Sequence, residues 1–213
     1  MAETIARLYS GGELFLHIGV TLYETVLGFV LGTAAGTLIA ITLWWSPAIN
    51  RVLDPYLVVL NALPKIALGP ILIVWFGAGI TSIIVMALLI SFVVTIMSVL
   101  AGFNEITGEK QLLMKTLGAS KLQIFTMVVL PASLPTIMNA LKISVGMSWV
   151  GVIVGEYLVS KAGLGYLIVY GGQVFKLDLV MASIVVLCLL AALMYYGVAY
   201  MEKKLVRWRM HGG

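Results

Sequence analysis

The sequence predicts an all-α integral membrane protein with about five membrane-spanning helices. Three observations carry that reading. The residues AVILMFWYC fill 62% of 213 positions while DEKR fill only 10%, and mean hydropathy is +1.10. The apolar residues are gathered into runs of spanning length, and Lys and Arg fall unequally on the two sides those runs define. A soluble domain carries roughly 25% charged residues. The 13 basic and 9 acidic residues here cannot give a particle of this size a soluble surface. A soluble enzyme, a disordered chain and a nucleic-acid-binding domain are therefore disfavoured. The net charge of +4 belongs to membrane edges rather than to a nucleic-acid partner. The lone Cys188 lies in an apolar run and pairs with nothing internal. No basic stretch followed by an apolar core marks a cleavable leader, so insertion relies on the internal segments.

A spanning helix needs about 20 mostly apolar residues. The first run covers 25–45 without a charge, with an earlier start near Leu14 that takes in Glu24. The second covers 55–76 and carries Pro64, Lys65 and Pro70; Gly77-Ala78-Gly79 breaks the chain after it. The third covers 80–103, again uncharged. The fourth covers 128–158 and contains Lys142 and Glu156. A Gly-rich loop is expected over 159–178, and the fifth run covers 179–201. These runs are too long and too continuously apolar for barrel strands, which alternate over about 10 residues. Helices are the alternative that satisfies the backbone in lipid. No internal repeat is visible.

Alternation places 46–54, 104–125 and the C-terminal tail on one side. That side holds Arg51, Lys110, Lys115, Lys121, Lys203, Lys204, Arg207 and Arg209; the other holds Arg7, Lys161 and Lys176. The richer side is expected to be cytoplasmic. Residues 1–13 then form a short external segment, with Ile5 and Leu8 suited to an interfacial helix. The whole of 1–213 reads as one transmembrane domain, with 202–213 a basic cytoplasmic tail.

The polar stretch 104–125, NEITGEKQLLMKTLGASKLQIF, is more than a connector. Thr107 can cap a helix with Glu109 in its first turn. Leu113 and Leu117 are four apart and share a face, and Gly118 ends that helix. Ser120-Lys121-Leu122-Gln123 has the form of a capping box, so a second helix starts at once and runs towards Leu130-Pro131. An amphipathic hook of this kind either docks a partner protein or lies flat among headgroups.

Here the sequence resembles a known family, the permease subunits of bacterial ATP-binding-cassette importers. Their cytoplasmic motif is Glu-Ala-Ala, three residues, Gly, nine residues, Ile, any residue, Leu-Pro. Gly118-Ala119-Ser120 and Leu130-Pro131 follow its second half, with nine residues between Gly118 and Val128. The first half departs: its acidic and alanine positions read Leu112-Leu113-Met114, and Glu109 stands one turn earlier. Leu63-Pro64, Leu68-Gly69-Pro70, Trp75-Phe76-Gly77-Ala78-Gly79, Gly155-Glu156 and Gly163-Leu164-Gly165-Tyr166-Leu167 are similar to the branch serving nitrate, sulfonate, taurine and thiamine- or riboflavin-type precursors. The resemblance covers roughly 14–209. It implies type I importer permease architecture in the bacterial inner membrane; members of the branch usually have one further helix ahead of the first run, which is expected here to be absent or to lie upstream.

The resemblance also implies partners: a second permease subunit, two cytoplasmic ATPases that bind ATP and Mg, and an external substrate-binding protein. The ATPase-coupling loop would comprise Glu109, Leu113, Met114, Leu117, Gly118, Ala119, Ser120, Leu130 and Pro131. In this chain no Gly-Lys dipeptide offers a phosphate-binding loop. His17 and His211 are too isolated for a metal site or a triad, so no catalytic residue, metal ligand or cofactor of its own is expected. Candidate pathway-lining residues are Lys65, Asn139, Lys142, Ser148, Trp149 and Glu156. A lysine near mid-bilayer costs about 2.5–3.5 kcal/mol on insertion scales, which argues for a role. Lys65 either faces an anionic substrate, or snorkels from a Pro-broken helix, or pairs with Glu24 or Asp54; Lys142 is similarly deep and is weighed in the same way, and Glu156 either pairs with Lys161 or gates the outer mouth. Gly28, Gly32 and Gly36, with Gly151 and Gly155, mark close helix approach, either within the chain or between subunits. The rival function is an ion-coupled secondary transporter or channel without ATPases.

Overall fold

A computed structural model describes residues 12–106 and 108–206. All regular structure among them is helical. The helices are α1 (Glu13–Trp45), α2 (Pro47–Ala62), α3 (Gly69–Phe76), α4 (Ile80–Asn104), α5 (Gly108–Thr116), α6 (Lys121–Ile124), α7 (Leu130–Val159), α8 (Leu164–Gln173) and α9 (Leu177–Val206). Four segments are long and apolar enough to cross a membrane: Glu13–Trp45, Ile80–Asn104, Lys121–Val159 and Leu177–Leu205. The second expected span, 55–76, is not one rod. It is α2 and α3 joined by a 3-10 turn over Lys65–Leu68 and bent by 86°.

The bend has a local cause. Leu63 turns to extended geometry (φ −62°, ψ 137°) ahead of Pro64, as the residue before a proline must. Pro64 then has no N–H to continue the ladder. A second correction concerns 159–178, expected as loop: it contains the ten-residue α8. The expected readings of residues 1–11, Thr107, Arg207 and Arg209 lie outside the described residues.

The core is organised around α4, which packs between α1 and α7. Both neighbours present glycines to it. A Cβ on Gly28 would lie 2.6 Å from Ala87 Cβ, and one on Gly36 would lie 2.9 Å from Thr95 Cβ. From the other side Gly151 meets the Ala87 backbone and Gly155 meets Ile83. Both small-residue faces thus serve packing within the chain, which lets dispersion contacts replace the hydrophobic drive that lipid cannot supply. Thr95 Oγ1 and Ser144 Oγ add a buried bond of 2.6 Å between α4 and α7.

The π turn at Phe125–Val129 leads from α6 into α7. Pro131 has no N–H for the ordinary ladder, and the bond there slips one residue, with Leu130 N–H donating to Phe125 O. Phe125 stacks near Phe103 (5.5 Å) and Trp44 (5.0 Å), tying this turn to the ends of α4 and α1.

Candidate functional site

Two places concentrate polar design, one at each end of the bundle. The first is the hook formed by α5 and α6. Gly118 adopts φ +80°, a left-handed conformation that favours glycine. Its N–H donates to Lys115 O and that of Ala119 to Met114 O, both at 3.0 Å, the two bonds of a Schellman C-cap. Ser120 then caps α6: its Oγ accepts from Gln123 N–H (3.3 Å), while Gln123 Oε1 accepts from Ser120 N–H (2.7 Å). One helix is closed and the next opened within three residues.

The hook is fastened to the bundle. Lys121 Nζ donates to Trp45 O at 2.5 Å and lies over the rings of Trp44 (5.7 Å) and Trp45 (5.6 Å). A cation at the C-terminal end of α1 is favoured by the helix dipole and by the ring faces. Met114, Ala119 and Leu130 pack on the core cluster containing Ile124, Phe125 and Val129. The apolar residues of the opposite face stay uncovered: Leu112 and Leu113 are 61% exposed and Leu117 74%. Glu109 lies exposed in the first turn of α5, and Pro131 in the first turn of α7.

At the other end lies a network that sequence reasoning did not assemble. His17, Thr21 and Glu24 recur along one face of α1, all buried. Glu156 of α7 is 1% exposed. Its Oε1 accepts from Thr21 Oγ1 (2.6 Å) and its Oε2 from Gly165 N–H (2.5 Å). The Glu24 carboxyl, also 1% exposed, faces that of Glu156. Gly163 N–H donates to His17 Nδ1 (2.9 Å) and Leu164 N–H to Thr21 Oγ1 (2.8 Å). The N–H groups of Gly163, Leu164 and Gly165 at the start of α8 are thus directed into this network, which is how a buried helix N-terminus avoids orphan groups. A Cβ on Gly163 would land on the Glu156 carboxylate, and one on Gly165 would lie 2.7 Å from its Oε2.

The six candidate pathway residues are dispersed. Lys65 sits half-buried at the bend between α2 and α3, its Nζ donating to Asn61 O (3.1 Å) and Oδ1 (3.4 Å). Lys142 forms an ion pair with Glu202 of α9 at 2.6 Å. Asn139 is exposed. Ser148 and Trp149 are buried inside the chain. Glu156 takes its partners from Thr21, Glu24 and α8 rather than from Lys161.

A bundle of long apolar helices with a capped polar hook at one end is a multi-pass membrane protein. The comparisons with known proteins name the class. Residues 28–207 match the family model described as binding-protein-dependent transport system inner membrane component, and the chain belongs to that family. It is 32% identical to the putative aliphatic sulfonates transport permease protein SsuC of Bacillus subtilis, over 97% of this chain and 75% of that protein. It is 30% identical to the taurine transport system permease protein TauC of Escherichia coli, over 96% of this chain and 74% of that protein. In fold it matches a chain of the MetNI methionine ABC transporter in an inward-facing conformation, with TM-score 0.74, 21% identity, and coverage of 96% of this chain and 99% of that one. The expected type I importer permease architecture and inner-membrane location therefore hold.

Proposed function

We propose that this chain forms, with a second copy, the translocation pathway of an ATP-driven importer, and that separate ATPases drive it through the α5–α6 hook. The observation that carries the proposal is the hook itself: a doubly capped elbow, fastened through Lys121 and Met114, that leaves Leu112, Leu113 and Leu117 uncovered. Rigid fastening lets a push on the hook reach the spanning helices, and an uncovered leucine ridge outside the bundle is what a partner would grip. ATP-dependent closure of the ATPases would move the hook and rock the bundle between outward and inward access. The excess of Lys and Arg at 46–54, 104–125 and the C-terminus supports a cytoplasmic position for this end.

The pathway falls between two copies, along α2 and α3. Their apolar side chains are left largely uncovered by this chain: Val59 is 59% exposed, Val74 81% and Trp75 74%. Lys65 at the bend, with Asn139 on α7, supplies polar groups that such a pathway needs. A cation at a helix break suits a small organic anion, and sulfonates and taurine are what the named relatives are described as carrying. An external binding protein would deliver the substrate at the α8 end, where Lys161, Tyr166 and Tyr170 border an open groove of about 660 Å³.

The test is purification in mild detergent from native membranes. The wild-type chain should bring down an ATP-hydrolysing subunit, and Leu113→Asp with Leu117→Asp should lose it while the chain stays in the membrane. Uphill uptake by the lone, reconstituted chain would overturn the proposal.

A further inference from the structure

We propose that Glu24 and Glu156 form a proton-binding site, in which one proton is carried on Glu24, donated to Glu156, and required for α8 to sit on α1 and α7. Both side chains are 1% exposed, and their carboxyls face each other in one buried network built on Thr21 of α1. Two carboxylates have no donor between them, so they can bond each other only if one of them holds a proton. Like charges in contact at a buried site resolve in the same way.

Other sources of neutralisation are missing. Among the described residues no lysine or arginine pairs with either carboxyl; the ion pair present is Lys142 with Glu202. His17 is the nearest imidazole, and its Nδ1 accepts a bond from Gly163 N–H. A ring nitrogen that accepts carries no proton, so this histidine is the neutral form. The other ionisable groups at this end of the surrounding elements are Glu13 and Tyr23 on α1, Tyr157 on α7, Lys161 in the connection, Tyr166 and Tyr170 on α8, and Lys176 and Asp178 near the start of α9; Lys142 of α7 is paired with Glu202. α4 contributes none.

The bonding pattern says which carboxyl carries the proton. Glu156 accepts from Thr21 Oγ1 and from Gly165 N–H at the start of α8. Two donors and a helix N-terminus favour the ionised form. Glu24 has neither of these donors, and its Oε2 is buried with no hydrogen-bond partner. An oxygen stripped of water and of donors is tolerable on a neutral acid and expensive on an anion. The arrangement is therefore Glu24–COOH donating to Glu156–COO⁻, with Glu156 in turn holding the Gly165 amide of α8.

The experiment uses the purified full chain in lipid nanodiscs. Infrared spectroscopy separates the carbonyl stretch of a protonated, water-excluded carboxyl from that of ionised carboxylates. Wild type at neutral pH should show the protonated band, and Glu24→Gln should abolish it. Glutamine keeps the shape and donor of a protonated glutamate, so Glu24→Gln should keep the wild-type melting temperature. Glu156→Gln leaves one acceptor oxygen for three donors and should lower it. A cysteine at Ala162 should react slowly with a polar thiol reagent in wild type and Glu24→Gln, and at least tenfold faster once the pH is raised until the band disappears. Absence of the band, its persistence in Glu24→Gln, or equal damage from the two glutamine substitutions would each overturn the proposal. If Glu156→Gln does not fold, the wild-type and Glu24→Gln spectra still decide it.

Discussion

Helix α4 and the bent pair α2–α3 are close in sequence and opposite in fate. α4 and α3 are uncharged apolar stretches, whereas α2 carries Asn50, Arg51, Asp54 and Asn61 among its apolar residues. Yet α4 buries Ile83, Met86, Ala87, Ile90, Val93, Ile96 and Val99, while α2 buries only Leu57, and α3 only Gly69 and Leu72. Hydrophobicity does not separate α3 from α4, because lipid is as apolar as leucine. What separates them is the neighbours' shape. Gly28, Gly32 and Gly36 on one side and Gly151 and Gly155 on the other open grooves that α4 fills. Among the described residues no such double groove is offered to α2 or α3. Close packing makes α4 the fixed element, and the uncovered pair is left for lipid or a second copy.

The largest expected effect breaks the fixed side. A Cβ at Gly151 would meet the Ala87 backbone, which cannot rotate away. Gly151→Leu should therefore exceed the about 1–3 kcal/mol typical of overpacking and abolish recovery of folded protein from the membrane. Val74→Leu on α3, by contrast, should change stability by no more than about 0.5 kcal/mol, as expected away from packed sites. Thermal unfolding in detergent checks both, and similar damage from the two would erase the contrast.

Sharpening the uncovered side comes next. If a second copy covers α3, cysteine at Val74 should cross-link between copies in native membranes, with little cross-linking for cysteine at the buried Ala87. Monomer alone at Val74 would leave lipid as the cover.

How much of this was legible follows from range in sequence. The hook could be read in advance because its signals are local: Gly118 ends one helix, and Ser120 and Gln123 begin the next within four positions. The break at Pro64 was visible as a proline inside an apolar run, but its 86° angle depends on how α3 packs against α4 and α7. The short, glycine-bounded α8 read as a loop because it is too short to span and owes its place to Glu156. The acid network was the least legible. Thr21 and Glu156 are 135 positions apart, and nothing local to Glu24 says which helix it faces. The signal was nonetheless present. An acid inside a spanning run needs a partner, and Glu24 and Glu156 were two such acids with Gly163 and Gly165 close behind.

A third prediction concerns the bend. Lys65 is bonded only to Asn61 of its own chain, so its charge is free to serve a ligand. Lys65→Ala should raise KM for anion uptake roughly tenfold, the equivalent of about 1.4 kcal/mol, with Lys65→Arg recovering most of it. Melting temperature should stay at the wild-type value, because both bonds are exposed and join residues only four apart in the chain. A fall in stability without a change in KM would make Lys65 a helix cap.

The smallest effect tests the hook as structure. Ser120→Ala removes the side-chain cap of α6 and should cost about 1 kcal/mol. Gln123→Ala removes the reciprocal bond. Because the two side chains bond each other's backbone N–H, the double substitution should cost less than the sum of the single ones. Hydrogen exchange at Ser120 and Gln123 amides reads the loss directly, and α4 amides should be unaffected. The contrast with Gly151 then becomes quantitative. A defect confined to the hook would show that its stiffness is local and adjustable, whereas one that spreads to α4 would show that Lys121 and Phe125 lock the hook to the fixed core.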